Sequence, residues 1–119
     1  GWTATSGPSE IAFFDRGGLV FSLDARDHMA KGMTVAAGDG GGNAYQGFAL
    51  AHNARSIEDV DAIFARLKDK GARIVTPPRK VFWGGYSGYF SDPDGHMWEI
   101  AYNPYWTVGE DGRITMSKD

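Results

Sequence analysis

Apolar residues recur at positions 57, 60, 64 and 67 of the run IEDVDAIFARLKDK, spacings of three, four and three that give one apolar helix face. Ser56 stands where an N-cap is wanted, Asp59 follows three residues on, and Gly71 supplies the stop. The spacing predicts a helix over 57–70. Before it, Phe48 to Asn53 is short and apolar and reads as a strand. After it, GARIVTPP (71–78) reads as an extended run. Two more strands flank the turn SDPDGH, the second of them MWEIAY at 97–102. The half from 47 to 104 thus predicts β-α-β-β-β.

The first half repeats part of this pattern. FFDRGGLVFSLDA (13–25) aligns with FSDPDGHMWEIAY (90–102) at an offset of 77, matching Phe13 to Phe90, Asp15 to Asp92 and Gly18 to Gly95. Each copy reads strand, aspartate-started turn, strand; Asp bonds the local backbone and Gly accepts positive φ. GWTATSGP (1–8) is a further extended run, so the first half predicts only three strands. A strand and helix like those at 47–70 are then expected to precede Gly1 in the full protein. Between the halves, 25–46 ends in AAGDGGGNAYQG and reads as a glycine-dense, mobile linker. It lacks the Gly-Lys-Ser/Thr of a phosphate-binding loop. Residues 105–119 read as an extension with a turn at GEDG.

Composition narrows the function. A chain of 119 residues suits one domain, taken as 1–104 with module one at 1–24, the linker at 25–46 and module two at 47–104. A net charge of −3 gives no electrostatic case for nucleic acid or an anionic membrane. No apolar run approaches the ~20 residues of a membrane span. There is no cysteine, which excludes disulfides, thiolate nucleophiles and cysteine-type zinc sites. A cytoplasmic protein is the expectation.

Candidate chemistry concentrates in HMWE (96–99). His96 and Glu99 are three apart, so a regular strand points them to opposite faces and they cannot share a metal. His96 is expected at the exposed hairpin end. Trp98, Ile100 and Tyr102 suit packing under the helix. A lone carboxylate among them would be costly, so Glu99 belongs on the other face with Met97. Counting back from the turn pairs Phe90 with Met97 and Gly88 with Glu99. That register puts Tyr86 and Phe90 on the Glu99 face and Tyr89 behind with Trp98.

Two such modules closed by DPDGHMWEIAYNP resemble the vicinal oxygen chelate superfamily, which includes glyoxalases, bleomycin-resistance proteins and extradiol dioxygenases. GFALAHN and VFWGGYSGYF are most similar to a glyoxalase-related branch. The resemblance implies an α+β fold: paired βαβββ modules forming a curled mixed sheet, a glyoxalase-like cup. The first module lacks its opening strand and helix in this chain. It also implies a small-molecule ligand and a homodimer. Metal-using relatives take a ligand from the first and last strand of each module. Here those positions give Glu99, its mate Ser22, and Gly47. A hydroxyl and a glycine are poor ligands. No cofactor is therefore favoured, with a divalent metal held by Glu99 as the alternative.

The resulting pocket is lined by Phe13, Ser22, Asn53, Trp83, Tyr86, Phe90, Met97 and Glu99, apolar walls with few polar groups. His52 is expected on the helix side of its strand, and His28 in solvated linker unless a loop folds it over the cup. Three functions follow: binding or sequestration of a small organic molecule without metal, divalent-metal-dependent lyase or dioxygenase chemistry, and metal-free catalysis with Glu99 as general base.

Overall fold

A computed structural model describes residues 1–4, 11–34 and 46–116. In chain order the elements are β1 (Ile11–Asp15), β2 (Val20–Asp24), α1 (Arg26–Met33), β3 (Ala49–Asn53), α2 (Ile57–Asp69), β4 (Arg73–Lys80), β5 (Tyr86–Ser91), β6 (Met97–Tyr102), β7 (Thr107–Val108) and β8 (Ile114–Thr115). Residues 5–8 of the strand expected at 1–8 lie outside the described residues, and 1–4 carry no regular element.

The main sheet runs β3-β6-β5-β4, with β3 parallel to β6 and the other pairs antiparallel. A mixed sheet results because the helix crossover lets β3 and β6 run the same way. Helix α2 forms where its periodicity demands: the Ser56 hydroxyl accepts from the Asp59 amide at 3.0 Å. Its apolar face, Val60 and Phe64, packs on Ile100, with Phe90, Tyr86 and Tyr102 around them. This is one core.

The opposite face of the same sheet carries a second core. Tyr89 and Met97 pack there against Ala30 and Met33 of α1. The linker reading of 25–46 is corrected here, since its first part is helix. Nothing local announces α1: Ala25 precedes it without a side-chain cap. It is held by tertiary contacts instead. The buried Thr76 hydroxyl donates to the Met33 carbonyl at 2.6 Å, satisfying one of the carbonyls that a helix end leaves open.

The two aspartate turns are alike in mechanism and differ in length. Asp15 accepts from the Gly17 amide at 3.0 Å. Asp92 Oδ1 accepts from the amides of Asp94 at 3.0 Å and His96 at 2.9 Å, and its Oδ2 from the Trp98 indole at 3.1 Å. These donors hold the Asp92 carboxyl below its ordinary range, the His96 amide most strongly. The second loop thereby closes between Ser91 and Met97. Tyr89 is opposite Glu99, and Phe90 is opposite Trp98. The expected register is off by one residue.

The tail ties the first hairpin to the main sheet. The Ile114 amide donates to the Gly18 carbonyl at 2.8 Å, and Trp106 meets Phe13 edge-on at 5.4 Å. From the other side, Arg55 donates to the carbonyls of Val108 at 3.0 Å and Gly109 at 2.8 Å. Among the described residues no helix is long and apolar enough to cross a membrane.

Candidate functional site

Strand parity places Glu99 on the sheet face away from α2, with Met97 and Ala101. The neighbouring strand β3 sets Ala51 beside Glu99 and Asn53 beside Ala101. Ala51 is exposed, so the β3 side of Glu99 is open. On the other side β5 supplies Tyr89 and Ser87, both buried. Their hydroxyls donate to the Glu99 carboxylate.

Glu99 is half-buried by accessible surface yet ringed by protein atoms. Desolvation is the largest effect on it and pushes its carboxyl up from 4.5 to about 7. The two hydroxyl donors pull the other way. The charge of Asp24 adds to the rise. Asp24 ends β2 with a side chain only 8 % exposed, and its Oδ1 lies 2.7 Å from His28 Nδ1 on α1. The site is therefore one carboxyl raised toward neutrality with two hydroxyls on it, and an Asp24–His28 pair whose Asp24 charge acts on it.

The eight pocket residues of the sequence reading divide. Met97, Asn53 and Glu99 share the one face. Phe90 packs with the α2 core, where it stacks on Trp98 at 6.1 Å. Tyr86 is also on that side, donating to Asp61 Oδ1 at 2.7 Å. Trp83 lies over Gly85, which with Ile57, Lys80, Tyr86, Tyr102 and Pro104 lines a shallow cleft of about 280 Å³. Phe13 pairs with Ser22 in the first hairpin, and Ser22 is exposed. The one-residue register error put Tyr86 and Phe90 on the wrong face and hid Tyr89. His52 is exposed beside Ile100, on the α2 side as expected. His96 is half-buried against Phe48 at 5.4 Å rather than exposed, and its buried Nδ1 has no hydrogen-bond partner among the described residues.

Asp24, Tyr89 and Ser87 were not singled out from sequence. Asp24 had a usable signal: it lies two residues beyond Ser22, on the same face of β2. Ser87 and Tyr89 follow at once when the hairpin register is shifted by one.

The ligand positions that the resemblance assigns do not assemble a metal site. Among the described residues no three His, Asp or Glu side chains converge. A Cβ on Gly47 would lie 3.0 Å from the Arg26 guanidinium. A ligand side chain at 47 would thus meet a cation, which repels a second one. Among the described residues, those at the assigned positions 22, 47 and 99 do not make up a divalent centre.

A β-α-β-β-β unit with a mixed sheet, and a carboxylate on its last strand facing away from the helix, defines a glyoxalase-like α+β protein. The chain belongs to the Glyoxalase/Bleomycin resistance protein/Dioxygenase superfamily, whose family model matches residues 2–100. It is similar to a glyoxalase-related enzyme from Fulvimarina pelagi, 34 % identical, with a TM-score of 0.58 over 98 % of this chain and 81 % of that one. It is also similar to a structure described as an NAD-dependent benzaldehyde dehydrogenase from Legionella pneumophila, 25 % identical, with a TM-score of 0.64 over 83 % of this chain and 76 % of that one. An uncharacterized protein of Mycobacterium bovis is 40 % identical over 46 residues, 39 % of this chain. The chain spans about 30 % of the length of that curated relative.

Proposed function

We propose that the protein binds a small organic molecule against the Glu99 face of its main sheet, without a complete set of metal ligands, and that Glu99 exchanges a proton with it. The observation that carries this reading is the surroundings of Glu99. A carboxyl titrating near 7 accepts and returns a proton at neutral pH with little driving force lost in either direction. Tyr89 and Ser87 occupy part of its accepting capacity from the β5 side and orient it, and the small Ala51 leaves the β3 side open. Asn53 and the exposed Ala51 of β3 offer a small and partly polar wall beside Glu99.

The test has two arms. Elemental analysis of the purified protein is expected to find no divalent metal at one per chain. A library of small carbonyl and aromatic compounds, screened by thermal shift, is expected to yield ligands whose affinity changes across pH 6 to 8 in the wild type and not in Glu99→Gln. Stoichiometric metal that is lost in Glu99→Gln would replace this reading with metal-dependent lyase or dioxygenase chemistry. Turnover that survives a chelator and disappears in Glu99→Gln makes the protein a metal-independent enzyme, and binding without turnover makes it a sequestering one.

A cytoplasmic homodimer is part of the same proposal. Phe21, Leu23, Phe48 and Leu50 are exposed apolar side chains on β2 and at the β3 edge of the main sheet, a pattern that association would relieve. Size-exclusion chromatography with light scattering is expected to give twice the chain mass.

A further inference from the structure

We propose that the α2 side of the main sheet carries a second small-molecule site, where Lys80, Tyr86 and Tyr102 stand in a row, and that it takes a planar aromatic carboxylate. This site is separate from the Glu99 face and does not depend on the chemistry of that face.

The row follows from the register. Lys80 of β4 is directly opposite Tyr86 of β5, and Tyr86 is directly opposite Tyr102 of β6. Residues opposite one another in a ladder share a face of the sheet. That face is the α2 side: Tyr86 donates to Asp61 of α2 at 2.7 Å, and both tyrosines pack at the margin of the Val60 and Phe64 core. Three strands thus present an ammonium and two phenol rings side by side. Ile57 in the first turn of α2 and the glycines of the β4–β5 loop join them in lining the cleft. Its volume is about 280 Å³. A cavity of about 150 Å³ accepts a benzene ring, so the cleft has room for a ring and a short substituent.

The loop is built to keep this wall in place. Gly85 is buried, and a Cβ there would fall within the Trp83 ring. A Cβ on Gly84, whose φ is +99°, would lie 2.9 Å from the Tyr105 hydroxyl. Glycine at both positions lets Trp83 and Tyr105 seat against the loop backbone. The turn is closed by the Val81 amide donating to the Gly85 carbonyl and the Gly84 amide donating to the Val81 carbonyl, each at 3.0 Å.

The lining sets the class of ligand. Ile57, Val81, Pro104 and the tyrosine rings suit a flat ring, because aromatic faces stack and apolar side chains cover the edges. The charged member of the lining is Lys80. The ion pairs among the described residues, His28 with Asp24 and Arg113 with Asp111, leave it unengaged. Asp61, the carboxylate that Tyr86 holds, is not part of the lining. Lys80 therefore matches an anionic substituent on the ring and opposes a cationic one.

The test is a titration of the ligand-free protein with cinnamate, read by the amide shifts of Gly84 and Gly85 in a nitrogen–proton NMR spectrum. Saturable shifts at both glycines are expected, with a Kd of about 1 mM, the affinity of a small ligand in an open cleft. Lys80→Gln should weaken cinnamate about two- to five-fold, the worth of an exposed charge pair. It should leave the affinity for the neutral cinnamyl alcohol unchanged. Gly85→Ala should abolish saturation, because the added methyl displaces Trp83, while the rest of its spectrum reports whether the fold persists. Lys80→Gln changes only an exposed side chain, so it decides the case should Gly85→Ala fail to fold. Glu99→Gln should bind cinnamate as the wild type does. Shifts at the two glycines that fail to saturate by about 10 mM overturn the site, as do saturable shifts confined to the Glu99 face. Equal cinnamate affinity in Lys80→Gln overturns the assignment of a carboxylate ligand. Because binding here is expected to survive Glu99→Gln, failure of the Glu99 reading leaves this result standing, and failure here leaves that reading untouched.

Discussion

Replacing Glu99 by glutamine should change how stability depends on pH more than it changes stability itself. The native carboxyl is raised from 4.5 to about 7 by burial. Between those values the folded protein holds a proton that the unfolded chain has already released, so stability falls as pH rises. The contribution is complete below about 4.5, declines through the window, and is gone above about 7. At about 1.4 kcal/mol per pH unit, the span corresponds to about 3 kcal/mol. Glutamine has nearly the shape of the protonated side chain and does not titrate. The assay is urea unfolding of wild type and Glu99→Gln from pH 4.5 to 8.5. Groups common to both proteins cancel in the difference. The two should be nearly matched at pH 4.5, and the variant should be more stable by about 3 kcal/mol at pH 8.5, a gap of roughly 1–3 M in urea midpoint. Parallel curves across the whole range would refute the buried-carboxyl argument, whatever the ligand proves to be.

Three further substitutions probe the frame that holds the site. Thr76→Val removes the buried hydroxyl that donates to Met33 at 2.6 Å; it should cost about 1–2 kcal/mol in a denaturant titration and loosen α1 in amide hydrogen exchange. Ser56→Ala removes the cap on the Asp59 amide and should lower stability by about 1 kcal/mol, seen as a melting temperature roughly 4 °C lower. Gly88→Ala would place a methyl 2.7 Å from the Thr76 carbonyl and 2.8 Å from Phe64 Cζ. Backbone cannot yield there as a side-chain tip can, so a loss of about 1–3 kcal/mol is expected, with β4 and β5 separating first in hydrogen exchange.

Helix α2 was legible because its evidence is local: a cap, a stop and an apolar face lie within one stretch of chain. The following strands were legible as strands for the same reason. Their register was not. It depends on how many residues the Asp92 carboxylate ties into the loop, and a count from the sequence missed by one. Because strand faces alternate, that single residue exchanged Tyr89 for Phe90 on the Glu99 face. Helix α1 was illegible for a different reason. ARDHMAKGMT carries no capping residue and includes Gly32, so its intrinsic preference is weak. What holds it is the burial of Ala30 and Met33 on Tyr89 and Met97, a contact between segments about sixty residues apart.

The orientation of Glu99 could be read because burying it under α2 would have been prohibitive, and such arguments survive register errors. Its partners could not be read the same way, since each belongs to another element. They matter because a carboxylate in that position persists in only a few ways. It can bind a metal, pair with a cation, or take up a proton and hydrogen bonds. Among the described residues the first is unsupported by the donors present, and for the second the groups that act on Glu99 include the negative Asp24 and no cation. The third is what the surroundings supply: desolvation that favours the proton, and hydroxyls from Tyr89 and Ser87 that satisfy the oxygens. Where the resemblance implies ligands at 22 and 47, this chain has an exposed serine and a glycine whose Cβ would meet Arg26, and on the proposed reading the Glu99 carboxyl, raised toward neutrality by burial, exchanges a proton there.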